Sequence, residues 1–119
     1  MTDNINKTAD FFKALGDTTR IKILKLLLCH NKLCVGMIAF KLNITQPAVS
    51  QHLKILKTNG IIEGKRTGFN IHYKIKEDVF KKYGIDLAKI IKVKKDNTTL
   101  RNKSKSLKES VKQHKWNLS

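Results

Sequence analysis

The stretch NITQPAVSQHLKILKTNGII, Asn43 to Ile62, constrains the fold most, because it carries the chain's single proline inside what otherwise reads as a helix. Proline has no backbone N–H and clashes with the preceding turn, so a helix accepts it only in its first turn, where N–H groups have no intrahelical partner. Thr45 places a hydroxyl oxygen where it can accept from an N–H two or three residues on, so Thr45 reads as the N-cap and Pro47 as the opening of a helix. Val49, Leu53 and Leu56 then fall at i, i+4 and i+7, Ile55 broadens that face, and Asn59-Gly60 ends the helix with a residue tolerant of left-handed backbone. The other face carries Gln46, Ser50, Gln51, Lys54 and Lys57, a polar surface mounted on an apolar stripe.

The flanking segments follow from the same periodicities. Phe11, Phe12 and Leu15 recur at helical spacing from Thr8 to Leu15, and Gly16-Asp17 supplies a stop followed by a second N-cap. After Asp17, Ile21, Ile23, Leu24, Leu27 and Leu28 make the most apolar helix, fading into His30-Asn31-Lys32. Cys34 to Lys41, with Val35, Ile38 and Phe40, predicts a short third helix, and Leu42-Asn43-Ile44 the turn before the proline helix. Ile61–Arg66 and Ile71–Ile75 are β-like runs around Thr67-Gly68-Phe69-Asn70, a hairpin. From Glu77 to Lys95, Val79, Phe80, Tyr83, Leu87, Ile90 and Ile91 keep a helical period across Gly84, predicting one amphipathic helix of about 28 Å with Asp78 at its start. The expected architecture is mainly α with a β-hairpin wing, a winged helix-turn-helix. It occupies residues 1–95, followed by a basic tail, 96–119, that is disordered or transiently helical.

Charge selects the partner. The 119 residues hold 25 Lys and Arg against nine Asp and Glu, a net +16, which calls for a polyanion. Seven bases face one acid, Glu63, between Lys41 and Lys76, where the two short helices and the hairpin lie, so the polyanion is double-stranded DNA and not a membrane. In the major groove Gln46 and Gln51 suit adenine, Ser50 suits several base edges, and Pro47 or Ala48 suits a thymine methyl. His52 and Lys54 lie on the same helix, and Lys65, Arg66, Asn70 and His72 lie on or beside the wing, placed for phosphate or minor-groove contact. No apolar run approaches the roughly 20 residues that span a bilayer, and MTDNINKTAD is no signal peptide, so a cytoplasmic protein with reduced cysteines is expected. An enzyme is not: Ser50 and His52, two apart on a helix, diverge, and no Gly-rich phosphate loop or carboxylate pair is present. The competing class is a non-specific DNA-coating, chromatin-like protein.

FFKALGDTTRIKILKLL, LCVGMIAFKLNITQPAVSQHLKILKTNGII and GKRTGFNIHYKI together resemble the ArsR/SmtB family of winged-helix transcriptional repressors, over Thr8 to Lys95. The resemblance implies a homodimer, formed through the first and last helices, that binds an imperfect inverted repeat and releases it when an inducer binds. It puts the base-reading positions on Gln46, Pro47, Ser50 and Gln51, where many members have Ser and His in place of Pro47 and Gln51. The residues agree on a dimer: Phe11, Phe12, Leu15, Val79, Phe80, Tyr83, Leu87, Ile90 and Ile91 are more apolar surface than so small a monomer covers.

Sensing is where the chain departs from that pattern. Many members carry a Cys-Val-Cys-Asp-like ligand set, and the corresponding stretch here is Cys34-Val35-Gly36-Met37, which keeps only the first ligand. A second family site needs histidine on the final helix, and Glu77 to Lys95 has none. Cys29 and Cys34 remain as a thiol pair that a reversible disulfide could join, with a metal ion at Cys29, His30 and Cys34 as the alternative and a repressor without an inducer site as another. No cofactor and no bound metal are expected. Elemental analysis of the purified chain should find no stoichiometric zinc, and zinc that a Cys34 variant loses would overturn that.

Overall fold

The computed structural model describes residues 2–30 and 32–93. The elements run α1 (Thr2–Leu15), α2 (Thr18–Cys29), β1 (Leu33–Cys34), α3 (Val35–Leu42), α4 (Gln46–Thr58), β2 (Ile62–Thr67), β3 (Asn70–Ile75), α5 (Glu77–Lys82) and α6 (Leu87–Ile90). The expected tail, 96–119, lies outside the described residues.

The helix starts are those the caps dictate. Asp17 Oδ2 accepts from the Arg20 N–H at 3.0 Å, and Thr45 Oγ1 from the Ala48 N–H at 3.2 Å, with Pro47 in the first turn of α4. Four of the stops share one device. Asn43, Gly60, Gly84 and Lys92 take φ of 56°, 70°, 65° and 60°, and each is followed by a residue whose N–H reaches back to the last turn: Ile44 to Ala39 O, Ile61 to Leu56 O, Ile85 to Phe80 O and Val93 to Ala88 O. This left-handed ending satisfies carbonyls that the helix itself leaves without partners and turns the chain sharply.

The sheet has the order β1-β3-β2, antiparallel throughout. β2 and β3 pair from Ile62↔Ile75 to Thr67↔Asn70, the expected wing, around a two-residue turn at Gly68-Phe69. β1 departs from expectation. Cys34, expected as the first residue of the third helix, is instead a strand residue: with Leu33 it pairs with β3, Leu33 opposite Tyr73 and Cys34 opposite His72, and the helix starts at Val35. Two residues carry no alternation that a sequence pattern could register.

The core gathers Phe11, Ile23, Leu24, Leu27, Ile38, Val49, Leu53, Leu56, Ile61, Ile62, Phe80 and Leu87. Two further expectations are corrected. The first helix begins at Thr2, not Thr8, and the predicted helix over 77–95 is broken into α5 and α6. The periodicity holds, since Phe80 and Leu87 both face the core, but the left-handed Gly84 ends α5 and Asp86 recaps the chain by accepting from the Lys89 N–H at 3.2 Å. The break also changes the expected dimer surface. Phe11, Phe80 and Leu87 are buried within the chain itself, Phe11 stacking on Tyr83 at 4.4 Å and meeting Phe80 edge-on at 5.7 Å. Leu15, Val79, Tyr83 and Ile91 are half-buried, while Phe12 (49% exposed) and Ile90 (66%) stand out in solvent.

The break makes a test of opposite signs. In a continuous helix Gly84→Ala would stabilise by about 1 kcal/mol; at φ 65° the added Cβ should instead cost about 1–2 kcal/mol of unfolding free energy. Denaturant titration of the two proteins reads the sign directly.

Candidate nucleic-acid interface

α4 presents the surface that its pattern requires. Val49, Leu53 and Leu56 are buried, and Gln46, Pro47, Ser50, Gln51, Lys54 and Lys57 are exposed. α3 packs against α4, and Gly36 lies close to Gln46: a Cβ on that glycine would be 3.7 Å from Gln46 Nε2. Gln46 therefore sits where the two helices of the helix-turn-helix meet.

His52 is the member of the expected reading set that is drawn inward. Its Nδ1 accepts from Arg20 Nη1 at 3.2 Å and lies 3.8 Å from Asp17 Oδ2. A guanidinium only donates, so this contact needs the neutral ring with its proton on Nε2. His52 lies three residues after Val49 and four before Leu56, at the edge of the buried stripe, which is why it faces the domain. Arg20 was not in the expected set. Its Nε donates to Ala14 O at 2.7 Å and its Nη2 to Lys13 O at 3.5 Å, so one cation closes the C-terminal end of α1, where the helix dipole favours it, and joins α1 to α4. Its signal in the sequence was its place three residues after the Asp17 cap. Hydrogen bonding to the Arg20 N–H, ahead of the nearby charge of Arg20, holds the Asp17 carboxyl below its ordinary value against the opposing effect of burial.

The wing carries Lys65, Arg66 and Asn70 exposed near its tip. His72 is half-buried in the middle strand, between Cys34 and Lys65, and so lies off the exposed tip. Glu63 pairs with Lys74 at 3.2 Å, leaving Lys65 and Arg66 as the exposed charges nearest the turn. Lys41 leaves the expected phosphate footprint: its side chain is buried, and burial pushes its ammonium down to about 8.

Residues 17–63 match the model of the arsR family of bacterial regulatory proteins. A helix-turn-helix-type transcriptional regulator of Methanocaldococcus jannaschii, itself uncharacterized, is 41% identical over 78 residues, which are 65% of this chain and 88% of that one. The chain belongs to the ArsR family. The transcriptional repressor SdpR of Bacillus subtilis is 43% identical over 68 residues, 57% of this chain and 74% of SdpR. Against SmtB-type and arsenic-resistance relatives, the match spans only 52% to 61% of their length. Among solved structures, the homodimeric winged helix-turn-helix DNA-binding domain of a Mycobacterium bovis protein, described as a possible ArsR-family regulator, superposes with a TM-score of 0.65. It is 28% identical and covers 76% of this chain and 82% of its own.

In this ArsR-family chain the thiols sit at two corners of the α2–α3 connection. Cys29 ends α2 half-buried, and burial raises its thiol above the ordinary value despite the opposing charge of Lys25. Cys34 is half-buried at the N-cap of α3 and opposite His72. Among the described residues no three His, Cys, Asp or Glu side chains are gathered closely enough to hold one metal ion. Burial, and then the charge of Lys41, push His30 down to about 4 from 6.5. The unfolded chain takes up that proton near pH 6.5 and the folded chain not until near pH 4, so His30 removes stability as pH falls through this window. His30→Gln should therefore narrow the drop in thermal midpoint between about pH 7 and about pH 4.5, while the loss due to Asp17, whose carboxyl lies below 3.8, falls at lower pH and stays in place.

Proposed function

We propose that this chain is a sequence-specific DNA-binding repressor acting as a homodimer on an inverted-repeat operator. The observation that carries the reading is the exposed polar face of α4 over a fully buried apolar stripe. Gln46, Pro47, Ser50 and Gln51 read base edges in the major groove, and Lys54, Lys65, Arg66 and Asn70 hold the flanking backbone. His52 and His72 support from behind: His52 fixes α4 through Arg20, and His72 lies in the sheet. Phe12 and Ile90, with the half-buried Leu15, Val79, Tyr83 and Ile91, supply the apolar surface for a second copy, and the homodimeric M. bovis domain supports such pairing. A two-fold axis then sets the two α4 helices about 34 Å apart, one turn of the duplex.

The relatives found are transcriptional regulators, in keeping with a non-enzyme. Among the described residues no helix is long and apolar enough to cross a membrane, and a cytoplasmic location belongs to this reading. Release by an inducer or by thiol modification completes it. Cys34, which caps α3 of the helix-turn-helix, is the better lever, since burial works against ionisation of Cys29. The net charge of +16 favours a second reading, a protein that coats DNA without preference.

Competition binding separates the two. A repressor should keep a preference of about a thousandfold or more for its operator over random duplex at about 150 mM salt, and a coating protein almost none. Gln46→Ala or Ser50→Ala should cost about 1–3 kcal/mol at the operator and leave random duplex nearly unaffected. Arg66→Ala should weaken both and lower the salt slope by roughly one unit.

A further inference from the structure

The wing ends in a side chain that the interface described above leaves unused. Phe69 is 101% exposed, more than any other large apolar residue described; Ile5 follows at 71%. It stands at the apex of a two-residue turn whose first member, Gly68, takes φ 64°, the glycine-first turn that matches the twist of paired strands. The stem beneath it is fully paired. β2 and β3 pair without interruption from Ile62↔Ile75 to Thr67↔Asn70, and Gly64 leaves room for the Tyr73 ring, which a Cβ there would meet at 2.9 Å. Glu63 and Lys74 tie the base of the stem.

A single exposed apolar side chain needs no explanation by itself; what singles out Phe69 is its place, fully exposed at the apex of a paired hairpin with cations behind it. The groups behind the ring identify its partner. Lys65 and Arg66 are exposed on the strand that leads to the apex, and the acid of this hairpin, Glu63, is paired lower down. An apolar tip backed by cations complements a groove with phosphate rims and a floor of stacked bases. The reach fits as well. β2 leaves α4 after only Asn59-Gly60-Ile61 and packs against it, and a six-residue strand carries the apex about 20 Å from that end. With α4 in a major groove about 12 Å wide, that distance crosses one phosphate ridge into the adjoining minor groove.

We propose that Phe69 is an apolar wedge that enters the minor groove beside the recognition helix and partly unstacks one base step. The inference rests on the DNA-binding reading and extends it: the wing reads how easily DNA deforms, besides gripping phosphate. Flexible pyrimidine–purine steps, TA and CA/TG, would be favoured under the ring, at a position that no hydrogen bond inspects.

The test uses the full-length chain and a duplex that it selects from a random pool, labelled at both ends for energy transfer and titrated from about 50 to 200 mM salt. Phe69→Ala should lower affinity about tenfold, the burial of one ring less the cost of unstacking, and reduce the bend. The salt slope should stay unchanged, because no charge is lost. Phe69→Leu, which keeps an apolar wedge, should retain most of the affinity and bend, and reselection with Phe69→Ala should lose the flexible step. If Phe69→Ala binds, bends and selects like the parent while Arg66→Ala still weakens binding, the wing is purely electrostatic and the wedge is wrong, with the DNA reading intact. If Gln46→Ala and Arg66→Ala are also without effect, the DNA reading itself fails. Weakened binding of Phe69→Ala to phosphatidylglycerol vesicles, with DNA affinity unaltered, would assign the ring to a membrane and overturn the proposal.

Discussion

Three apolar side chains set the rotation of α4 about its own axis, and the interface depends on that rotation. Val49, Leu53 and Leu56 are buried against α2, α3 and β2. A helix turns about 100° per residue, so a shift of one position would carry Ser50 into the core and expose an apolar flank. The penalty for burying an unpartnered hydroxyl and an amide exceeds what most single contacts contribute to stability. Gln46, Pro47, Ser50 and Gln51 are thus presented by default, as the face that the core does not want. Arg20 adds a second restraint, holding the end of α1 and the inner edge of α4 through His52.

The left-handed helix stops do comparable work for the path of the chain. Asn43 sets the turn between α3 and α4, Gly60 starts the wing directly from the end of α4, and Gly84 folds α6 back so that Leu87 reaches the core. Each joins a short helix to its neighbour through very few residues, which leaves little freedom in the crossing angle. In a chain of this size, where each buried side chain is a large share of total stability, such economy matters.

Charge and location are separable here. The chain is strongly basic, yet Lys41 is buried, Arg20 is engaged with backbone and His52, and Lys74 is paired with Glu63. Between Lys41 and Lys76 the exposed cations outside the Glu63 pair are Lys54 and Lys57 on α4 and Lys65 and Arg66 on the wing. The family match runs from the Asp17 cap to Glu63, the scaffold that positions α4, and stops before the wing tip and the last helices. The common part is the part that packing dictates; Phe69 and the α5–α6 bend belong to the remainder.

The sequence by itself determined the local events: the Asp17 and Thr45 caps, the proline start, the two faces of α4, the hairpin and its turn, and the basic bias. Each depends on neighbours within about one or two helical turns, a range over which residue type and spacing are decisive. Only the tertiary structure decided the rest. It paired Leu33-Cys34 with β3, broke the predicted last helix at Gly84, enclosed Phe11, Phe80 and Leu87 within one chain, buried Lys41 and turned His52 toward Arg20. Periodicity marks which side chains seek the core, but it cannot say whether a helix or a bend delivers them, because both hide the same apolar area from water.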